Sequence, residues 1–315
     1  MTTVPQQPSE GTRRERPSVS VSRATRVLAD AGVEAPRVEA EVLAAYVLGV
    51  SRGHLAIADG FTDGQRERFD ALVARRARRE PLQHLTGSAG FRHLELAVGP
   101  GVFVPRPETE LLAGWGIAEA ARTAEPLVVD LCSGSGAIAL SVAHELPGAR
   151  VVAVERSAAA LRWLRRNAAD RAAAGDRPIE LVEADVTAPD LLADLVGRVD
   201  VLLCNPPYVP DEVAVPPEVE RHDPASAVFG GADGLAVIRP VVARAAELLR
   251  PGGVLGVEHD DTHGTVVPAL LAADGRYAGV TGHEDLTGRP RFATASRRGD
   301  RRHADPGPAW QTGSS

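Results

Sequence analysis

The chain has 315 residues, 44% of them hydrophobic, which suffices for one large domain plus a smaller one with a buried core. A formal net charge of −7 argues against broad, sequence-independent adhesion to nucleic acid, although a local basic face stays compatible with it. Two cysteines, Cys132 and Cys204, make neither a disulfide framework nor a metal knuckle, which points to a reducing compartment, the cytoplasm by default.

Residues 1–20 are polar and proline-bearing, with no apolar segment long enough for a signal peptide or membrane span, and read as a disordered tail. Residues 21–88 carry helical periodicity. Ser22 stands in an N-cap position, Val38, Val42, Leu43 and Tyr46 form one apolar stripe, and Thr62 with Gln65 makes a capping box ahead of Phe69, Leu72 and Val73. The run "RRARRE" at 75–80 reads either as a solvated helix face or as a contact for RNA or an acidic partner.

From Phe91 the period falls to two. Phe91, Leu94, Leu96 and Val98 lead into Gly99-Pro100-Gly101, after which Val102 and Val104 resume, a hairpin signal that makes 89–105 the joint between the helical region and the rest of the chain. In "PRPETELL", Pro107, Glu108 and Glu110 suit the first turn of a helix. From Pro126, apolar runs such as "LVVDL", "RVVAVE", "IELVEADV" and "RVDVLLC" alternate with helical segments, which means a mostly parallel sheet covered on both faces within 106–295. Residues 296–315 read as a second disordered tail.

Ligands in such a sheet bind at the carboxyl ends of its strands, so the residues after each apolar run bear on function. After "LVV" comes "DLCSGSGAIA", where Gly134 and Gly136 permit a tight turn and close backbone approach; a dinucleotide loop or a purely structural turn fits the same pattern. After "VVAV" comes Glu155, which can accept from both hydroxyls of a ribose or carry a helix N-terminal charge. Asp185 can accept from an adenine amine, with Val186 against the ring, or cap a helix.

After "VLLC" comes "NPPYVP", in a chain with only one other asparagine. The Asn205 side-chain oxygen and the Pro206 carbonyl make two acceptors suited to the two protons of an –NH2 group, and Tyr208 can stack on the planar group bearing it. Cys204 reads as a buried thiol rather than a nucleophile, because an amide or amine nitrogen needs no covalent activation. In the acidic stretch from Glu258 to His263, residues 259–261 are adjacent and nothing supplies matching ligand spacing, so no metal site is expected.

Together "DLCSGSGAIAL", Glu155, "EAD" and "NPPYV" resemble a class I S-adenosylmethionine-dependent methyltransferase that acts on planar nitrogens. "FVPRPETELL", "REPLQHLTG", "GGADGL" and "DLTGRPRF" are similar to the peptide chain release factor N(5)-glutamine methyltransferases. The resemblance implies a Rossmann-like methyltransferase sheet with a small N-terminal helical domain for substrate recognition, joined by a β-hairpin. It implies cofactor binding by Asp130, Cys132, Ser133, Gly134, Ser135, Gly136, Glu155, Asp185, Val186 and Asn205, with S-adenosylmethionine as cofactor. It implies substrate contact by Phe103, Arg106, Asn205, Pro206, Pro207 and Tyr208, of which Asn205, Pro206 and Tyr208 serve the chemistry, and a release factor as protein partner.

Two departures stand out: Cys132 replaces a loop glycine, and "VEHDDTHG" replaces a Glu-Ile-Gly pattern. A nucleic-acid adenine-N6 methyltransferase, which shares N-P-P-Y, and a nucleotide-binding or NAD-dependent protein remain the competing readings.

Overall fold

The computed structural model describes residues 14–299; the outer parts of both expected tails lie outside the described residues. In chain order, the helices α1 (Pro17–Asp30), α2 (Pro36–Leu48), α3 (Asp63–Ala77) and α4 (Leu82–Thr86) precede a hairpin, β1 (Ser88–Phe91) and β2 (Leu94–Ala97). Then come α5 (Thr109–Ala120), β3 (Leu127–Leu131), α6 (Ala137–Glu145), β4 (Arg150–Glu155), α7 (Ala158–Ala173), β5 (Glu180–Glu183) and β6 (Val199–Cys204). The chain continues through α8 (Pro217–His222), α9 (Ala225–Val228), α10 (Ile238–Leu248), β7 (Leu249–Glu258), α11 (Val266–Asp274), β8 (Tyr277–Glu284) and β9 (Pro290–Arg297). Two compact units result. One holds the residues up to Ala89 with Ala97–Val104 and Ala214–Pro224; the other holds Gly90–Leu96, Pro105–Val213 and the residues from Ala225 on.

In the second unit seven strands form one sheet in the order β5-β4-β3-β6-β7-β9-β8, parallel except that β9 runs against both β7 and β8. Alternate residues face opposite sides, and both sides are buried. Val129, Leu131, Val152, Val154 and Leu202 share a cluster with Val241, Val242 and Ala245 of α10. Val128, Val151, Ala153, Val201 and Leu203 pack instead with Leu112, Ile138, Leu161 and Leu164 of α5, α6 and α7. Each fully buried leucine of that second layer contributes about 1.5–3 kcal/mol through removal from water.

In the first unit the Thr62 and Gln65 capping box starts α3 as expected, and Phe69, Leu72 and Val73 are buried, with Phe61 stacked on Phe69 at 5.2 Å. Three expectations are corrected. Helix α1 starts at Pro17 rather than after Ser22, because a proline at the first helical position costs no hydrogen bond; the Ser22 hydroxyl donates to the Ser18 carbonyl at 2.8 Å inside the helix. The buried face of α2 is Ala40, Leu43, Ala44 and Val47, while Val38 and Tyr46 are exposed, since the small alanines permit closer packing than the bulkier stripe would. The hairpin turns at Arg92 and His93, not at Gly99-Pro100-Gly101. Arg92 takes a φ of +52° there, with its amide donating to the Glu110 carboxylate at 3.0 Å and its guanidinium paired with Glu145 at 2.6 and 2.7 Å.

Most of the basic side chains of the "RRARRE" run are paired with carboxylates, while Arg78 is exposed. Arg75 pairs with Glu80 at 2.8 Å, and Arg79 reaches Glu218 at 2.7 Å. The Arg76 side chain, 6% exposed, sits between Glu39 and Glu218, the latter at 2.8 Å. Glu218 belongs to α8, so the segment that follows the N-P-P-Y stretch is tied by charge to α2 and α3 within this unit. Removing one partner of such a buried set strands the others without compensation. Arg76→Ala is therefore expected to lower unfolding free energy by about 3 kcal/mol or more, read as a lower denaturant midpoint; an unchanged midpoint would rule the cluster out as a support.

Candidate active site

The carboxyl edge of the sheet gathers the chemistry. Pairing aligns Leu131 with Val154 and with Cys204, and Cys204 with Val257, so the segments that begin at Cys132, Glu155, Asn205 and Glu258 emerge at one level. After β3 the backbone reverses through left-handed residues at Cys132 (φ +60°), Gly134 (φ +56°) and Gly136 (φ +90°). Cys132 carries a Cβ in that conformation, a strain of about 1–2 kcal/mol that a glycine would not bear. The turn is closed by the Ser133 amide to Val154 carbonyl bond at 3.0 Å and the Gly136 amide to Ser133 carbonyl bond at 2.8 Å. Asn167, the other asparagine of the chain, donates to the Ser135 carbonyl at 2.9 Å.

Asp130 is buried, and its Oδ2 accepts from the Ala139 amide of α6 at 3.2 Å, while Oδ1 has no hydrogen-bond partner. Burial pushes this carboxyl up to about 7, against the opposing pull of Ser133 and Ala139. Glu155 ends β4 and holds two loops: Oε2 accepts from the Gly134 amide at 2.9 Å and Oε1 from the Ser157 amide at 2.7 Å. A Cβ on Gly134 would meet nothing within 4 Å, so the loop has open space over it. Loop amides, an acceptor carboxylate and that open space fit a nucleoside cofactor.

Two further expected cofactor residues have partners of their own within the chain. Asp185 forms a turn in which Oδ1 accepts from the Thr187 amide at 2.8 Å and hydroxyl at 2.7 Å, and its Oδ2 pairs with Arg156 at 3.1 Å; these partners hold its carboxyl below the usual range. Val186 is buried in the main core cluster.

At the end of β6, Asn205 is half-buried and its Nδ2 donates to the Thr109 hydroxyl at 3.0 Å, which leaves Oδ1 as the side chain's acceptor. Pro206 and Pro207 are buried. The Tyr208 hydroxyl donates to Glu258 Oε1 at 3.0 Å, and burial pushes the phenol up so that it stays protonated. The "GGADGL" loop closes on this stretch: a Cβ on Gly234 would sit 2.3 Å from the Tyr208 carbonyl and one on Gly230 2.6 Å from the Pro207 carbonyl, so only glycine fits. Cys204 is buried and its thiol is pushed up by burial, which suits packing and not attack.

Thr109 and Glu258 are the site residues that sequence reasoning missed. Thr109 was legible only as part of "PRPETE". Glu258 ends the strand beside β6, so the strand-end rule that found Asn205 applies to it too. Its neighbours in the acidic stretch turn elsewhere: His259 Nδ1 meets the Asp260 carbonyl at 2.8 Å and His263 Nε2 the Asp233 carbonyl at 3.0 Å. Among the described residues no group of three or more His, Cys, Asp or Glu is arranged to hold a metal ion. Arg106 lies in the second unit, with its carbonyl accepting from the Thr109 amide at 3.2 Å; Phe103 lies in the first.

Comparison with known proteins agrees with this geometry. Residues 21–87 match the PrmC N-terminal domain, and residues 116–220 match the methyltransferase small domain. The chain is 52% identical to a release factor glutamine methyltransferase of Mycolicibacterium smegmatis over 88% of its own length and 96% of the relative's. It is 51% identical to that of Streptomyces coelicolor, over 88% and 96%, and 46% identical to that of Mycobacterium tuberculosis, over 89% and 91%. With such identity across both units, the chain belongs to the release factor glutamine methyltransferase family.

Proposed function

We propose that the protein methylates the side-chain amide nitrogen of a glutamine in a peptide chain release factor, on a Gly-Gly-Gln loop, with S-adenosylmethionine as methyl donor, in the cytoplasm. The observation that carries this reading is the Asn205 amide. With one N–H of its nitrogen given to Thr109, its oxygen and the carbonyl of the next residue, Pro206, are a pair of neutral acceptors suited to a primary amide rather than to a charged or hydroxyl substrate.

When bound, S-adenosylmethionine supplies an electrophilic methyl on a sulfonium. The residues of the chain do the rest. The Gly134 and Gly136 loop and Glu155 hold the nucleoside, with Asp130 bracing the start of α6. The Asn205 oxygen and the Pro206 carbonyl accept the two N–H groups of the substrate amide. An amide nitrogen is a poor nucleophile because its lone pair is delocalised into the carbonyl, and two acceptors on its protons favour the localised, pyramidal geometry of the transition state. No base has to act beforehand, since the proton leaves after methyl transfer. Alignment and exclusion of water supply the remaining acceleration.

The adenine-N6 alternative shares the N-P-P-Y chemistry but needs a basic surface for its target. The basic run of the first unit is spent largely on Glu39, Glu80 and Glu218. We assign the helical unit, 21–88, to recognition of the protein substrate. The direct test is transfer of labelled methyl to purified release factor, to the same factor with its Gly-Gly-Gln glutamine replaced, and to adenine-containing DNA. Label is expected only on the first; label on DNA would install the adenine reading instead.

Asn205→Ala is expected to lower kcat by about two powers of ten or more, with little change in cofactor affinity. Wild-type turnover in that variant would remove Asn205 from the chemistry. Glu155→Ala should weaken S-adenosylmethionine binding by about 1.5–3 kcal/mol, the range for a hydrogen bond to a charged group, measured by calorimetry. An unchanged affinity would mean that the carboxylate serves only the Gly134 and Ser157 amides.

A further inference from the structure

Tyr208, the residue that faces the substrate amide in the proposed chemistry, is held at two places. Its hydroxyl is fixed by Glu258 at 3.0 Å. Its backbone is fixed by the loop that follows α9. The Val209 amide donates to the Val228 carbonyl at 3.0 Å and the Gly230 amide to the Val209 carbonyl at 2.9 Å, with Val209 bridged in parallel to Phe229. The loop then folds back on itself. The Gly234 amide donates to the Gly231 carbonyl at 3.1 Å and the Ala236 amide to the Gly230 carbonyl at 2.8 Å, which brings Gly234 (φ +72°) onto the Tyr208 carbonyl.

His263 holds that loop from a different part of the chain. It is buried in the turn Asp261–His263 after β7, and its Nε2 lies 3.0 Å from the Asp233 carbonyl. A carbonyl can only accept, so Nε2 carries a hydrogen and donates it. Nδ1 is buried and has no hydrogen-bond partner among the described residues, so the polar grip of the ring is on this loop. The ring also lies against Gly234: a Cβ there would sit 2.6 Å from His263 Cε1, with the Tyr208 carbonyl on its other side. Gly234 is therefore the layer between an imidazole and the backbone of Tyr208. The imidazole is itself held in place. The His263 amide donates to the Asp260 carbonyl at 2.9 Å, and the Asp260 carboxylate caps the turn by accepting from the Thr262 amide at 3.0 Å and hydroxyl at 2.6 Å.

We infer that His263 is a positioning residue: its Nε2–H holds the Asp233–Gly234 peptide and, through Gly234, sets the backbone of Tyr208 so that the ring meets the substrate amide. A glycine has no side chain with which to anchor this peptide, and its backbone turns freely once the donor is lost. Misplacement of an aligning group by about 1 Å costs on the order of 100-fold in rate, so a bond remote from the reacting atoms bears on turnover. This inference rests on the proposed glutamine chemistry.

The test is steady-state methyl transfer to release factor by His263 variants, with S-adenosylmethionine affinity measured beside it by calorimetry. His263→Leu fills the space without a donor; kcat is expected to fall about 10- to 30-fold, with cofactor affinity within about 3-fold of wild type. His263→Gln places an amide N–H where Nε2–H stood and should bring kcat back to within about 3-fold of wild type. His263→Asn is too short to reach the Asp233 carbonyl and should behave as His263→Leu does. The double variant His263→Leu with Tyr208→Ala should be within about 2-fold of Tyr208→Ala alone, because the loop then has no ring left to place.

If His263→Leu does not fold, the His263→Gln and His263→Asn pair decides alone. The inference is overturned by wild-type kcat in His263→Leu or His263→Asn, or by a His263→Gln enzyme as slow as either. Cofactor affinity that falls in step with kcat, or losses that multiply in the double variant, overturns it as well. A wild-type enzyme inactive on release factor would overturn the substrate reading and this inference with it, whereas an active wild type with unaffected variants overturns the inference alone.

Discussion

The site depends on the parallel register of β3, β6 and β7. Because Leu131, Cys204 and Val257 lie side by side, the next residue of each strand leaves the sheet at the same level: Cys132 into the glycine loop, Asn205 into the double proline, Glu258 toward Tyr208. Parallel strands cannot be joined by a tight turn, and each crossover connection returns the chain so that β3, β4, β6 and β7 all end at the same edge. A slip of one residue in any pair would turn an inward side chain outward and detach Asn205 from Thr109. The buried alternation on both faces of the sheet resists that slip.

Buried charge is used in two different ways. In the first unit, Arg76 lies between two carboxylates and is matched by opposite charge, so its role is structural registry. At the site, Asp130 and Glu258 are buried with incomplete hydrogen bonding and elevated pKa values. A fold optimised only for stability would replace them with apolar residues of similar volume. Asp130 and Glu258 lie at or next to the ends of β3 and β7, at the edge where the candidate site residues gather.

Much of this was legible in the sequence. Alternating apolar runs gave the sheet, strand ends gave Gly134, Gly136, Glu155 and Asn205, and Thr62 with Gln65 announced α3. What escaped did so for physical reasons. The turn of the hairpin rests on Arg92, whose left-handed backbone is supported by Glu110 and by Glu145, 53 residues away, and no local rule anticipates it. The basic run looked like surface because its acidic partners, Glu39 and Glu218, are remote in sequence. Val38 and Tyr46 satisfied helical periodicity, yet the alanines set the buried face. Glu258 was hidden among neighbouring acidic and histidine residues, which drew attention to metals instead of to the Tyr208 hydroxyl it accepts from.

The segment Ala214–Pro224 makes the helical portion inseparable from the sheet by any single cut. The chain crosses between its two units at 89/90, 96/97, 104/105, 213/214 and 224/225, so neither is a bead that can be unstrung from the other. Trimming the helical portion near residue 90 would leave Glu218 behind without Arg76 and Arg79, an unmatched carboxylate on a segment shaped to meet them. Exchanging the helical portion for that of a relative would meet the same obstacle. Such a chimera must carry 214–224 from the same parent as α2 and α3, so the part to be exchanged is discontinuous in the gene.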